Sequence, residues 1–197
     1  MSTRDEILAR VRKNQPAARP LPEVPLFDAG RDASFAAFAS SLMRMGGKLV
    51  DAPADGNLDA LVARQYPQAR VICSATPEVG GNRPLGNVQA PVELEDVDVG
   101  VVRAVFGVAE TGSVYLSERE YQVNALGFLA QHLLVLLDPA AIVVNMHHAY
   151  RHPGFRTARY AVFMTGPSAT ADIEGILIHG AQGIRSLTIV PIAAPAR

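Results

Sequence analysis

Tyr160–Val190, YAVFMTGPSATADIEGILIHGAQGIRSLTIV, joins two apolar runs through a polar, glycine-punctuated middle. The first run ends in Thr165-Gly166-Pro167-Ser168. A strand ending this way brings its backbone to an edge, where glycine permits close approach of a ligand and the hydroxyls supply hydrogen bonds. Pro167 has a fixed φ and no N–H, so it could open a helix whose free amides would suit an anion. Asp172 and Glu174, a turn further on, would repel a phosphate unless they point elsewhere or grip a hydroxyl, an amide or a metal. The same spacing suits a plainer arrangement. In it Ser168 and Thr170 cap a helix, Asp172 complements its dipole, and Ile173, Ile176 and Leu177 face the core. Gly180-Ala181-Gln182-Gly183 then turns the chain into a last strand over Leu187 to Ile192.

Outward from this stretch, the upstream chain alternates helix and strand. Thr3-Arg4-Asp5-Glu6 has capping-box spacing ahead of Ile7, Leu8 and Val11, which predicts a short helix over 3–14. Pro16, Pro20, Pro22 and Pro25 make the following segment a stiff connector. Residues 1–29 therefore read as a helix and linker, and 30–197 as one α/β domain. The N-terminal helix could dock a partner or a second subunit, or pack on its own domain. Phe35, Phe38, Ala39, Leu42 and Met45 mark one face of a second helix, stopped by Gly46-Gly47. Lys48–Asp51 reads as a strand, Leu58 to Tyr66 as a helix closed by Pro67, and Ala69–Ser74 as a strand. This order argues for an α/β layer with a mainly parallel sheet and flanking helices. Residues 75–95, rich in Pro, Gly and Asn, form a loop between two halves.

Val97–Leu116, VDVGVVRAVFGVAETGSVYL, is the second informative stretch. Two apolar segments flank Glu110-Thr111-Gly112-Ser113, with glycine where a tight turn needs a positive φ. Glu110 is either the exposed tip of a hairpin or a carboxylate at a strand end inside a cleft, as acid, base or nucleophile. Gln131 to Leu137 predicts a buried strand, and Asp138-Pro139 a helix through Tyr150. His147, His148 and His152 cluster near the end of that helix; His148 and His152, four apart, could share a metal, but no third ligand sits at a telling spacing and no metal site is assigned.

A chain of 197 residues with 18 basic and 19 acidic side chains fits one domain and lacks the electrostatic footprint for nucleic acid or an anionic membrane. Its one cysteine, Cys73, excludes an intrachain disulfide or an iron-sulfur cluster held wholly by its own thiolates. The polar N-terminus and the interrupted apolar runs predict a cytoplasmic protein that does not span a membrane.

Together, Ala109-Glu110-Thr111-Gly112, Thr165-Gly166-Pro167-Ser168 with Thr170-Ala171-Asp172-Ile173-Glu174, and the closing Gly-x-x-Gly resemble the lactate-utilisation (LUD) domain family, in particular its protein C group. The resemblance covers roughly residues 30 to 192. Two departures stand out. The family commonly has Gly-x-His-Gly-Pro in the closing turn, where this chain has Gly180-Ala181-Gln182-Gly183-Ile184. It usually carries a proline ahead of the strand at His132, where this chain has Gly127-Phe128-Leu129-Ala130. An amide does not titrate near neutrality, so Gln182 cannot replace a proton-carrying histidine, although it can still donate and accept hydrogen bonds.

The resemblance implies a fold similar to the sugar-phosphate isomerase and coenzyme A transferase superfamily. It also implies a role in oxidising L-lactate to pyruvate beside two other proteins, one carrying iron-sulfur clusters, with no cofactor in this chain. On that reading Glu110 is the candidate catalytic group. Thr111, Gly112, Thr165, Gly166, Pro167, Ser168, Thr170, Asp172, Glu174, Gly180, Gln182 and Gly183 are the candidate binding residues for a small anion in a strand-end cleft. Two alternatives stay open: a stand-alone enzyme acting through Glu110 on an acyl-CoA or a sugar phosphate, and a scaffold whose N-terminal helix tethers partners. Homo-oligomer formation is also left open.

Overall fold

The computed structural model describes residues 2–195. α1 (Thr3–Lys13) starts on Ser2, whose hydroxyl accepts the Asp5 amide while the Asp5 carboxylate accepts the Ser2 amide. The capping box thus sits one residue earlier than the Thr3/Glu6 spacing suggested. None of the helix is buried. Residues 16–28 have no helix or strand, and later chain pins their end. Asn145 donates to the Leu26 carbonyl at 2.7 Å, Arg151 donates to Val24, and His148 Nε2 meets Asp28 at 3.0 Å.

α2 (Phe35–Arg44) is capped by Ser34 and buries Phe38, Ala39 and Leu42, as its apolar spacing dictates. It closes where Gly46 takes φ +81° and the Gly47 amide reaches the Leu42 carbonyl. β1 (Lys48–Leu49), α3 (Leu58–Gln65) and β2 (Ile72–Ser74) follow, each shorter than or equal to its sequence span. After two 3-10 turns come β3 (Val99–Arg103), the hairpin β4 (Phe106–Val108) and β5 (Ser113–Ser117), then α4 (Glu118–Tyr121) and α5 (Leu126–Leu129). The remainder is β6 (His132–Leu137), β7 (Ile142–Val143), α6 (Met146–Arg151), α7 (Pro153–Thr157), β8 (Ala161–Met164), β9 (Ala169–Thr170), β10 (Ile178–His179) and β11 (Ser186–Pro191).

Five strands form a fully parallel sheet in the order β1-β11-β6-β3-β2. Its central strand shows why a continuous apolar run is needed there. Leu133, Val135 and Leu137 enter a core shared with Phe38, Leu42, Tyr121 and Leu126, while Leu134 and Leu136 enter the opposite core under Leu58, Leu61 and Val62 of α3. Each such leucine contributes about 1.5–3 kcal/mol through burial. Cys73 is fully buried in β2, and burial pushes its thiol up from the ordinary range. A second, mixed sheet, β7-β4-β5-β8, has an aromatic core of its own in which Phe106 stacks on Tyr115 at 4.8 Å. β9 and β10 pair as a separate two-stranded ribbon. Among the described residues, no helix is long and apolar enough to cross a membrane.

Two expectations are corrected. Asp138-Pro139 opens a turn, not a long helix: the β-branched Ile142-Val143 pairs with β4, and α6 begins only after Asn145, whose side chain accepts the His148 amide. Pro167 opens no helix either. Gly166 takes φ +69°, the Ser168 amide goes to the Ile184 carbonyl, and the chain enters β9. Ser168 and Thr170 therefore cap nothing helical. Ile173, Ile176 and Leu177 are exposed, not core-facing.

The candidate functional site

Two glycines bring the distant polar stretches onto one helix. Gly112, at φ +69° in the β4–β5 turn, lies so close to the backbone of Ser41 and Leu42 in α2 that a methyl group there would collide. Gly166, also at φ +69°, lies equally close to the Met45 carbonyl at the end of the same helix. Both positions require glycine for conformation and for space.

With the two tips docked, their hydroxyls form a chain. Thr111 Oγ1 lies 2.7 Å from Ser113 Oγ, which lies 2.5 Å from Thr165 Oγ1. They face a hollow of about 520 Å³ walled also by Ser41, Arg44, Glu110 and the apolar Met45, Met146 and Phe163. Arg44 donates to Ser41 Oγ at 2.9 Å and takes part in no ion pair among the described residues. Glu110 stands on the rim. Its Oε1 accepts from Arg31 at 2.7 Å, its Oε2 from the Met146 amide at 3.3 Å, and its own amide donates to Val144. The hollow can therefore hold a small molecule between one uncommitted cation, a run of hydroxyls and one oriented carboxylate.

Gly166, Pro167, Ser168, Gln182 and Gly183 line an adjoining hollow of about 250 Å³ that shares Phe163 and Thr165 with the first. Thr165 is thus a common wall between the two groups of candidates. Thr170, on β9, accepts the Asp172 amide, and Gly180 donates to the Ser168 carbonyl. Asp172 and Glu174 are exposed on the connection between β9 and β10 and line neither hollow. The polar tips belong to the mixed sheet and the segment after it, not to the strand ends of the parallel sheet.

Sequence reading missed Arg31, Ser41, Arg44 and Met146. Arg44 carried one signal, its place at the end of an amphipathic helix whose apolar face was already legible. The histidines have other partners: His147 lies 4.9 Å from the Phe27 ring, His148 meets Asp28, and His152 packs 4.4 Å from Phe106 while accepting the Gly154 amide.

Residues 86–192, more than half of the chain, match the LUD domain family profile. The chain belongs to the LUD domain family. It is similar to lactate utilization protein C of Geobacillus thermodenitrificans, 30% identical over 136 residues covering 66% of this chain and 54% of that protein. It is also similar to the uncharacterized protein YkgG of Escherichia coli, 31% identical over 97 residues covering 46% and 42%. The LUD chain spans about half the length of these relatives. Its fold is similar to the crystal structure of a DUF162 family protein from Deinococcus radiodurans, with a TM-score of 0.62 at 16% identity over 80% of this chain and 95% of that one. The family match contains both glycine tips, Gly112 and Gly166, while α2, on which they dock, lies ahead of it.

Proposed function

We propose that this LUD domain serves L-lactate utilisation in the cytoplasm as a substrate-handling subunit, holding a small carboxylate in the 520 Å³ hollow beside partner proteins that carry iron-sulfur clusters. The supporting observation is the hollow's composition: the uncommitted Arg44 guanidinium as counter-charge, with Thr111, Ser113 and Thr165 hydroxyls to orient the ligand. A guanidinium and a carboxylate match in planar geometry, and Met146 and Phe163 give the methyl end of a lactate-sized acid an apolar wall. Oxidation of L-lactate to pyruvate removes two electrons and two protons. A chain whose only thiol is the buried Cys73 cannot hold cluster chemistry by itself, so the electrons go to a partner. Glu110, already fixed by Arg31 and the Met146 amide, acts on this reading as an oriented acceptor for the substrate hydroxyl.

Titration of the purified chain with L-lactate and pyruvate, followed by amide shifts of Thr111, Ser113 and Thr165, tests the binding step. Arg44→Ala is expected to weaken affinity roughly tenfold or more. Deleting the gene should abolish growth on L-lactate as sole carbon source, with rescue by the intact gene. Undiminished growth would overturn the lactate assignment, and unchanged affinity in Arg44→Ala would overturn the choice of hollow.

A further inference from the structure

The amino ends of the parallel strands open on another hollow, of about 400 Å³, which has no residue in common with the two above. Parallel register creates it. His132 opens β6 and pairs with Ser186, which opens β11, while Lys48 opens β1 beside them. The ring of Tyr66, delivered by the end of α3, stacks on His132 with centroids 5.0 Å apart, and its hydroxyl donates to Thr188 Oγ1 at 2.9 Å. Ser186 Oγ lies 2.8 Å from His132 Nδ1, which leaves Nε2 to meet a guest.

The charges on this hollow do not balance. Lys48 and Arg185 both line it, both are exposed, and neither forms an ion pair among the described residues. Asp98 also lines it, but Asp98 Oδ2 already accepts the amides of Arg70 at 2.7 Å and Val71 at 2.9 Å. Two cations thus face a concave, part-aromatic surface with a single carboxylate, whose Oδ2 is committed to backbone amides. Burial lowers the proton affinity of His132, the nearby Arg185 and Lys48 lower it further, and Asp98 opposes them.

We propose that this hollow binds a phosphate group, gripped between Lys48 and Arg185 with His132 Nε2 as the third donor. A phosphate dianion matches the two uncommitted cations in charge and offers enough oxygens to satisfy all three donors at once. This site is independent of the lactate reading, since it lies at the amino ends of the parallel strands, away from the mixed-sheet tips, and uses none of the same side chains.

The full chain, with its imidazole signals followed by NMR, is titrated with inorganic phosphate and in a parallel arm with phenyl phosphate. Saturable shifts at His132 and Tyr66 are expected, with His132 gaining proton affinity as the bound dianion offsets Lys48 and Arg185. Lys48→Gln and Arg185→Gln should each weaken binding about tenfold, and the double variant should abolish it. Both side chains are exposed, so the variants keep the parent thermal midpoint, which is checked alongside. Tighter binding of the ester than of inorganic phosphate identifies a phosphorylated small molecule as the ligand, and the reverse order identifies free phosphate. No movement at His132 in either arm, or equal binding by the double variant, overturns the proposal.

Discussion

Arg31 holds Glu110 Oε1 at 2.7 Å across 79 residues of chain, anchoring the tip of the β4–β5 hairpin to the segment that leads into α2. Both side chains are partly exposed, at 48% for Arg31 and 31% for Glu110, so the pair itself is worth about 0.2–1 kcal/mol. Arg31→Ala should therefore shift the urea midpoint only slightly. Its effect on lactate affinity should be larger, roughly three- to tenfold weaker, because Glu110 loses its counter-charge beside an anionic guest. Isothermal titration and urea unfolding on one preparation separate the two.

Gly112→Ala places a methyl group against the backbone of Leu42 while keeping a left-handed φ, and should destabilise the fold by about 3 kcal/mol or more. Gly56→Ala is the control. Gly56 has nearly the same φ, +70°, but open space around it, so only the conformational cost of about 1 kcal/mol applies. Equal losses in chemical denaturation would mean that the hairpin tip does not bear on α2.

Thr165→Val keeps the shape of the side chain and removes the hydroxyl that ends the Thr111–Ser113–Thr165 chain. Ser113 retains Thr111 as a partner, so the stability cost should stay near 1 kcal/mol. Ligand affinity should fall by more than stability does, measured by the same titration as for Arg44→Ala.

Leu134 is fully buried at the centre of the parallel sheet, and Leu134→Ala should cost about 2–5 kcal/mol. Leu21, 93% exposed on the N-terminal strap, should tolerate alanine within about 0.5 kcal/mol. Urea unfolding of the two variants tests whether the core lies where the alternating faces of β6 place it.

Stability should decline in two steps as pH falls. His132 and His152 are held by burial below their ordinary value of 6.5, so the unfolded chain takes up protons first and stability is lost as pH falls from about 6.5 through the folded values. Asp98 and Asp138, lowered by hydrogen bonds from backbone amides, add a second loss below the ordinary aspartate value of 3.8, as pH falls through their folded values. Asp138→Asn, which touches neither histidine, should reduce the second step and leave the first, read from thermal midpoints between pH 7 and 3.

Where local pattern and tertiary demand agree, the chain announces its fold. The α2 face of Phe38, Ala39 and Leu42, the uninterrupted strand at Leu133–Leu137, and the turn glycine at Gly112 all follow from spacing alone. Asp138-Pro139 misled because proline at a first helical turn and proline in a tight turn look alike locally; partnership of Ile142-Val143 with β4 decided between them. Pro167 failed for the same reason, since the Ile184 carbonyl that takes the Ser168 amide lies sixteen positions later. Arg31 and Arg44 stayed hidden because an arginine before or at the end of a helix is ordinary. Only the docking of two remote tips gives these side chains something to face.

Gly112 and Gly166 rest on α2 about one helical turn apart, at Leu42 and at Met45. That helix is in turn fixed by Phe38 and Leu42 in the main core. Prising the two tips apart therefore means lifting a core-bound rod, so the proposed guest would have to conform to the gap it finds. On the proposed function, size discrimination would reside in a helix that carries almost none of the recognisable motifs.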